Sequence, residues 1–444
     1  MWRRTSALTV SDLPRAGPKH VVTAACLLLT VGMQVAQADE PAPAASPWTY
    51  GGEYRLRADR YEHADFGLHD AAAFTSWQQR FWANVAWRPD ATLRVFVQAG
   101  AATESGRLPG PREGDRSAID LAQAYVDAQI GPQSWGWRAR LGRQEVTEGR
   151  YISIRELTNL RRTFDGLRLD GPVGEWTLAG LVAHVTRNRT GAFDDDPSPG
   201  DQVAFVRGEQ SLPVEGLLMG LSVMKHDVAG ARYAAGTGSE HRWTWGARVH
   251  GQQRGWDVDT QASWQGGTFS PAGGTRETIR AWGAMFEGGL PLDTPWHPRL
   301  AVRADLASGD GSANDGRFGT FDLPYPNLSY LNDAVIVAPR NIRDFQPFIV
   351  LQPTQTFNFT LGVEWLWRNE RADSVYTPAG TPLIPPGPGG NAVATLPYVR
   401  WRWVPAPHLE IQGGLVHGSP REALRAAGGR RSLDYGYVSM SVRL

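Results

Sequence analysis

The chain has one cysteine, Cys26, and it lies inside an N-terminal apolar run. If that run is removed on export, neither disulfides, thiol chemistry nor cysteine-based metal sites remain. Lysine is also nearly absent: Lys19 precedes the run and Lys225 is the only other. Almost every cation is therefore arginine, whose planar fork binds carboxylates bidentately and keeps its proton. After residue 38 no apolar stretch approaches the roughly 18 residues of a spanning helix, so a membrane form of this chain has to be a barrel. Lys+Arg and Asp+Glu are equal at 45 each, which leaves no basic surplus for nucleic acid. G-x-S-x-G, H-E-x-x-H and a Gly-rich phosphate loop are missing, and the ten histidines show no ligand spacing. Asp310, Ser312, Asn314 and Asp315 have the acidic spacing of a calcium loop without its glycine and terminal glutamate. No enzyme, metal or cofactor is expected.

The N-terminus reads as a secretory signal. Arg3, Arg4, Arg15 and Lys19 come first, then an apolar run from Val21 to Val35, then Ala36-Gln37-Ala38 before Asp39. The run, roughly 15 residues, is short of the ~20 a spanning helix needs. The expected organisation is a signal over 1–38, a short periplasmic segment over 39–47 and one β-barrel domain over 48–444.

What fills that domain is alternation. Trp48, Tyr50, Tyr54, Leu56 and Ala58 share one face of the first segment, and Glu53, Arg55, Arg57 and Asp59 the other, because successive strand side chains point oppositely. Such segments recur near 48–59, 76–87, 92–102, 119–129, 135–145, 164–171, 175–185, 202–211, 217–227, 241–250, 256–265, 277–288, 299–307, 343–352, 356–367, 393–403, 407–417 and 433–444. The total is eighteen, an even number that suits a bacterial single-chain barrel with an aqueous lumen. Short breaks, for example at Arg88-Pro89-Asp90, Gly171-Pro172 and Pro405 to Pro407, interleave with longer ones at 60–75, 103–118, 146–163, 186–201, 228–240, 308–342, 368–392 and 418–432. Short periplasmic turns and long extracellular loops alternate in this way. The longest loop, 308–342, is expected to dip into or cap the mouth.

Tryptophans near segment ends on the apolar face, including Trp48, Trp87, Trp137, Trp176, Trp243, Trp256, Trp264, Trp365, Trp367, Trp401 and Trp403, fit interfacial girdles. The fold class is thus all-β, a transmembrane antiparallel barrel in the outer membrane of a Gram-negative bacterium, in contact with its lipid.

Two segments are distinctive: LGRQEVTEGRYISIRELTNLRRTFDGLRL, from Leu141 to Leu169, and DLASGDGSANDGRFGTFDLPYP, from Asp305 to Pro326. They resemble the alginate export family of outer-membrane barrels, with its G-R-Q strand end, paired loop arginines, F-D-G strand start and A-S-G-D loop. The likeness extends roughly over 48–444. It implies a porin-like channel with an arginine-lined constriction passing an anionic uronate polysaccharide, and periplasmic export or barrel-assembly machinery as partners. Uptake of small anions, an outer-membrane enzyme and a plugged receptor are the alternatives.

Parity places Arg55, Arg57, Arg80, Arg138, Arg140, Arg168, Arg303, Arg400 and Arg402 toward the lumen, with Asp170 and Asp305 among the interleaved carboxylates. Arg143, Arg155, Arg161, Arg162 and Asp165 join them through the family-like segment. Rings of cations select anions; the competing reading is that these arginines brace the wall by cross-strand pairing.

Overall fold

A computed structural model describes residues 46–69, 71–112, 114–312, 315–327 and 329–444. The expected signal and most of the 39–47 segment lie outside them. Among the described residues the alternating segments form β1 Trp48–Glu62, β2 Phe74–Trp87, β3 Leu93–Ser105, β4 Ser117–Ile130, β5 Trp137–Gln144, β6 Phe164–Val173, β7 Trp176–Arg187, β8 Asp196–Ser211 and β9 Leu217–Tyr233. There follow β10 Gly236–Gln253, β11 Trp256–Pro271, β12 Glu277–Pro291, β13 Arg299–Ala307, β14 Ile342–Thr354, β15 Phe357–Arg368, β16 Ala392–Ala406, β17 Leu409–Pro420 and β18 Leu433–Arg443. Each pairs antiparallel with the next, and β18 closes on β1 through pairs such as Leu56 with Met440. Closure removes the edges that an open sheet would expose.

Alternation sets the two faces as expected. In β1, Glu53, Arg55, Arg57, Asp59 and Tyr61 are buried, while Tyr50 and Tyr54 are exposed on the outside. Trp245, Trp264 and Trp282 lie side by side across β10, β11 and β12 on the outer face.

Several expected boundaries move. The segment 228–240 is not a loop: β9 and β10 run on and turn at residues 234–235, so only two residues connect them. These strand ends alternate without an apolar face, because they project past the lipid. Likewise β8 begins at Asp196, inside the expected 186–201 loop, β6 continues through Gly171-Pro172 to Val173, and residues 272–276 form an extracellular turn.

The inner face is buried because two extracellular loops, 145–163 and 308–341, fold into the barrel. Wall glycines receive their aromatics. A Cβ on Gly246 would lie 2.0 Å from the Tyr151 hydroxyl, and one on Gly283 would lie 2.7 Å from the Phe321 ring. Phe321 is fully buried, so Gly283→Leu is expected to expel it, costing about 1–3 kcal/mol by overpacking. A lowered thermal midpoint with faster proteolysis of the 308–341 loop is the result to look for, and an unchanged loop would refute the docking role of Gly283.

Candidate functional site

The lumen narrows where loop 145–163 crosses it. On the β1–β2 side, Arg55 donates to the carbonyls of Glu156 and Thr158, both at 2.7 Å. Arg80 bonds Glu53 at 2.5 Å and Glu156 at 2.8 Å. The Asn159 amide donates to the carbonyls of Gln79, Thr103 and Asp115 at 2.8–3.1 Å. On the far side the Tyr151 hydroxyl meets Ser263 Oγ at 2.8 Å, and Arg150 bonds Asp259 of β11 at 3.1 Å. The loop is therefore a strap tied to opposite walls. Apolar contacts reinforce it: Val146 and Ile152 pack in one buried cluster with the inward Leu181, Val203 and Phe205.

Loop 308–341 docks against the strap. The Ser153 N–H donates to the Tyr325 carbonyl at 2.9 Å, and the Tyr325 N–H to the Tyr151 carbonyl at 3.1 Å. The Tyr330 hydroxyl donates to Asp305 at 2.6 Å, the Asn332 amide to Glu364 at 2.6 Å, and Asp333 lies 3.6 Å from Arg400. This loop does enter the lumen.

Charge in the strap is matched. Burial would raise the Glu156 carboxyl, but Arg80, Arg161 and Arg55 outweigh it and hold that group well below the usual carboxylate range. Arg161 bonds Glu156, lies 3.5 Å from Glu145 and stacks over Trp82 at 4.2 Å. Arg162 donates to the Ser153 carbonyl at 3.3 Å and lies over Tyr325. Arg155 occupies a left-handed turn of the same loop at φ 57°.

The remaining expected residues divide into three groups. Arg57 is bidentate with Asp59, also bonds Tyr435 and is buried; Arg303 is held by Glu287 and is half-buried. Arg140 with Asp127, and Arg168 with Asp170 and Glu148, are paired but partly open to the lumen. Arg138 is exposed on that same face, Arg402 keeps 42 % of its side chain exposed beside Glu410, and Arg400 keeps 29 %.

Arg143 and Asp165 are not where the family-like segment suggested. They pair directly across β5 and β6 with bonds of 2.9 and 3.2 Å. Their parity is that of Leu141 and Leu167 and opposite to that of Arg138, Arg140 and Arg168, so they face outward. Loop 188–195 covers them, with Arg143 reaching the Asp195 carbonyl. Among the described residues the one carboxylate cluster with metal-like spacing, Asp120, Asp194 and Asp195, sits in this same brace. Asp120 accepts the backbone N–H groups of Leu121, Asp194 and Asp195.

Arg207 and Arg248 also face inward but were not among the expected residues, although the alternation of β8 and β10 carries that signal. They line a recess between Tyr151 and the wall, together with Phe205, Met224, Ser222 and Gln261. Arg207 bonds Glu148 and Glu209, and Arg248 bonds Asp259.

A closed eighteen-stranded barrel with apolar girdles outside and a loop-narrowed polar lumen defines an outer-membrane porin channel. The chain belongs to the alginate export family, whose model matches residues 46–438. It is similar in fold to porins of known structure. Pseudomonas aeruginosa OpdK shares 12 % identity over 89 % of this chain and 99 % of its own, with a TM-score of 0.56. P. aeruginosa OccK8 (OprE) gives 10 %, 89 %, 98 % and 0.59, and a BenF-like porin from Pseudomonas fluorescens Pf-5 gives 10 %, 89 %, 98 % and 0.58. No curated protein matches the sequence. The barrel is a Gram-negative outer-membrane protein in contact with lipid.

Proposed function

We propose that the channel passes anionic solutes and has no catalytic role. The observation that carries this is the unequal use of lumen arginines. Arg55, Arg57, Arg80, Arg161 and Arg303 are largely enclosed by the loop anchors and wall braces they make, whereas Arg138, Arg400 and Arg402 keep more of their side chains exposed on the inner face, although Arg400 also meets Asp333 of the long loop and Arg402 meets Glu410. Exposed cations in a narrowed pore raise the local anion concentration and oppose cations. Membership of the family favours a uronate polysaccharide such as alginate as cargo, with export or assembly machinery on the periplasmic side.

A second reading, a small-anion uptake porin, has its own support. The strap and the long loop join across the lumen through Tyr151, Ser153 and Tyr325, an arrangement that suits a compact solute better than a polymer. OpdK has been solved with vanillate. Flux into vesicles of stated solutes separates the two. Export of uronate predicts that mannuronate oligomers of increasing length compete for chloride current at low concentration. If vanillate or benzoate competes and the oligomers do not, the second reading replaces the first; if neither does so better than sucrose, anion transport itself is wrong.

A further inference from the structure

Outward-facing cations ring the extracellular rim, and nearly all the ion pairs there are local. Arg60 pairs with Glu62, Arg187 and Arg189 with Asp196, Lys225 and His241 with Asp227, and His417 with Asp434. One sector differs. Arg276 and Arg280 at the head of β12, Arg317 in the two-residue strand Arg317–Phe318 beside it, and Arg343 at the head of β14 are all exposed. Among the described residues none of the four has a carboxylate partner for its side chain. Arg276 donates to the Thr268 hydroxyl at 3.3 Å, Arg343 to the Asn369 side-chain Oδ1 at 2.7 Å, and the carboxylate of Asp315 accepts the Arg317 backbone N–H.

Depth is fixed by the aromatics. On the outer face of β11, Trp256 and Trp264 are both exposed; they lie about 27 Å apart along the strand at ~3.4 Å per residue. A tilt near 40° shortens that to about 21 Å along the membrane normal, so the two rings sit just inside the ends of the ~25 Å apolar band of an outer-membrane barrel. The row of Trp245, Trp264 and Trp282 thus marks the outer edge of the hydrocarbon. Arg280 is the next outward residue beyond Trp282 on β12, and Arg343 the next beyond Phe345 on β14. Arg317 pairs with Thr278 in a parallel register, which sets its side chain between those of Arg276 and Arg280. Three guanidinium groups on adjacent strands, flanked by a fourth, stand at headgroup level.

Unpaired arginines grouped this way carry a like-charge cost that a bound anion removes, and Arg forks match phosphate bidentately. The anion available at that depth is the phosphate of the glycolipid that forms the outer leaflet. We propose that Arg276, Arg280, Arg317 and Arg343 form a docking site for a phosphorylated outer-leaflet glycolipid, whose acyl chains lie over the Trp245, Trp264 and Trp282 row. Basic clusters beside an apolar band recognise anionic headgroups in this manner. The site faces away from the lumen, so it does not depend on which solute is carried.

The test uses the full-length folded barrel in detergent, with bisphosphorylated lipid A, the same glycolipid stripped of phosphate, and inorganic phosphate as probes. Bound glycolipid is counted by mass spectrometry of the intact complex, and protection is read as the heat-denaturation midpoint. The bisphosphorylated form is expected to bind at least tenfold more tightly than the stripped form. The combined change Arg276→Gln, Arg280→Gln, Arg317→Gln and Arg343→Gln is expected to abolish the difference, while Arg60→Gln on the opposite sector keeps it. Equal binding of both glycolipids to the unaltered protein overturns the proposal, and this arm needs no variant to fold. Equal protection by inorganic phosphate would assign the patch to free anions and overturn it too, as would a fourfold variant that folds and still prefers the phosphorylated form.

Discussion

Replacing Arg138, Arg400 and Arg402 together by Glu is expected to reverse the ion preference of the channel, read as a change of sign in the zero-current potential across a potassium chloride gradient. All three lie on the inner face, where parity and exposure agree: Arg400 and Arg402 oppose Trp401 and Trp403 on β16, and Arg138 opposes Trp137 and Ala139 on β5. Burying such an arginine in lipid near the midplane would cost about 2–4 kcal/mol, so the aqueous side is the stable one. Each exchange puts an anion where a cation stood, and the field inside a narrow low-dielectric pore amplifies it. Arg143→Gln is the matched control. That residue braces the outer face against Asp165, and its loss should leave the potential unaltered while lowering stability. A folded triple variant with an unchanged potential would mean that these arginines only support the wall.

The second large effect is expected from the long loop. Deleting residues 312–330 and joining the ends with a Gly-Ser linker removes Phe318, Phe321, Tyr325 and Tyr330 from the lumen. With them go the contacts of Tyr325 to the strap and of Tyr330 to Asp305. Single-channel conductance should rise several-fold, and the strap, left with its anchors to Arg55, Arg80 and Ser263 and those its own Asn159 makes to the wall, should show more frequent current fluctuations. Stability should fall as well, because buried aromatic surface is lost. If conductance and fluctuations in the correctly folded deletion match those of the intact channel, the loop does not narrow the path.

The sequence by itself determined the strands and most of their faces. A two-residue period is local, so Arg55, Arg57, Arg400 and Arg402 could be assigned inward, and Trp264 or Trp403 outward, without knowing what any strand pairs with. The same arithmetic places Arg143 outward, since it shares parity with Leu141, whereas the family-like segment groups it with Arg161 and Arg168. Strand ends such as those of β9 and β10 were not legible, since beyond the lipid neither face needs to be apolar and the period loses its contrast. Only the tertiary structure decided how the lumen is filled. The strap is held by partners some hundred residues apart, as Arg55 is from Glu156 and Tyr151 from Ser263. The glycines that admit its aromatics, Gly246 and Gly283, look like any others in a strand. Closing a barrel brings such residues together through strand tilt and register, quantities that accumulate over the whole sheet. No local pattern encodes them, which is why the arginines could be counted from the sequence but not divided into those that anchor loops and those left facing solvent.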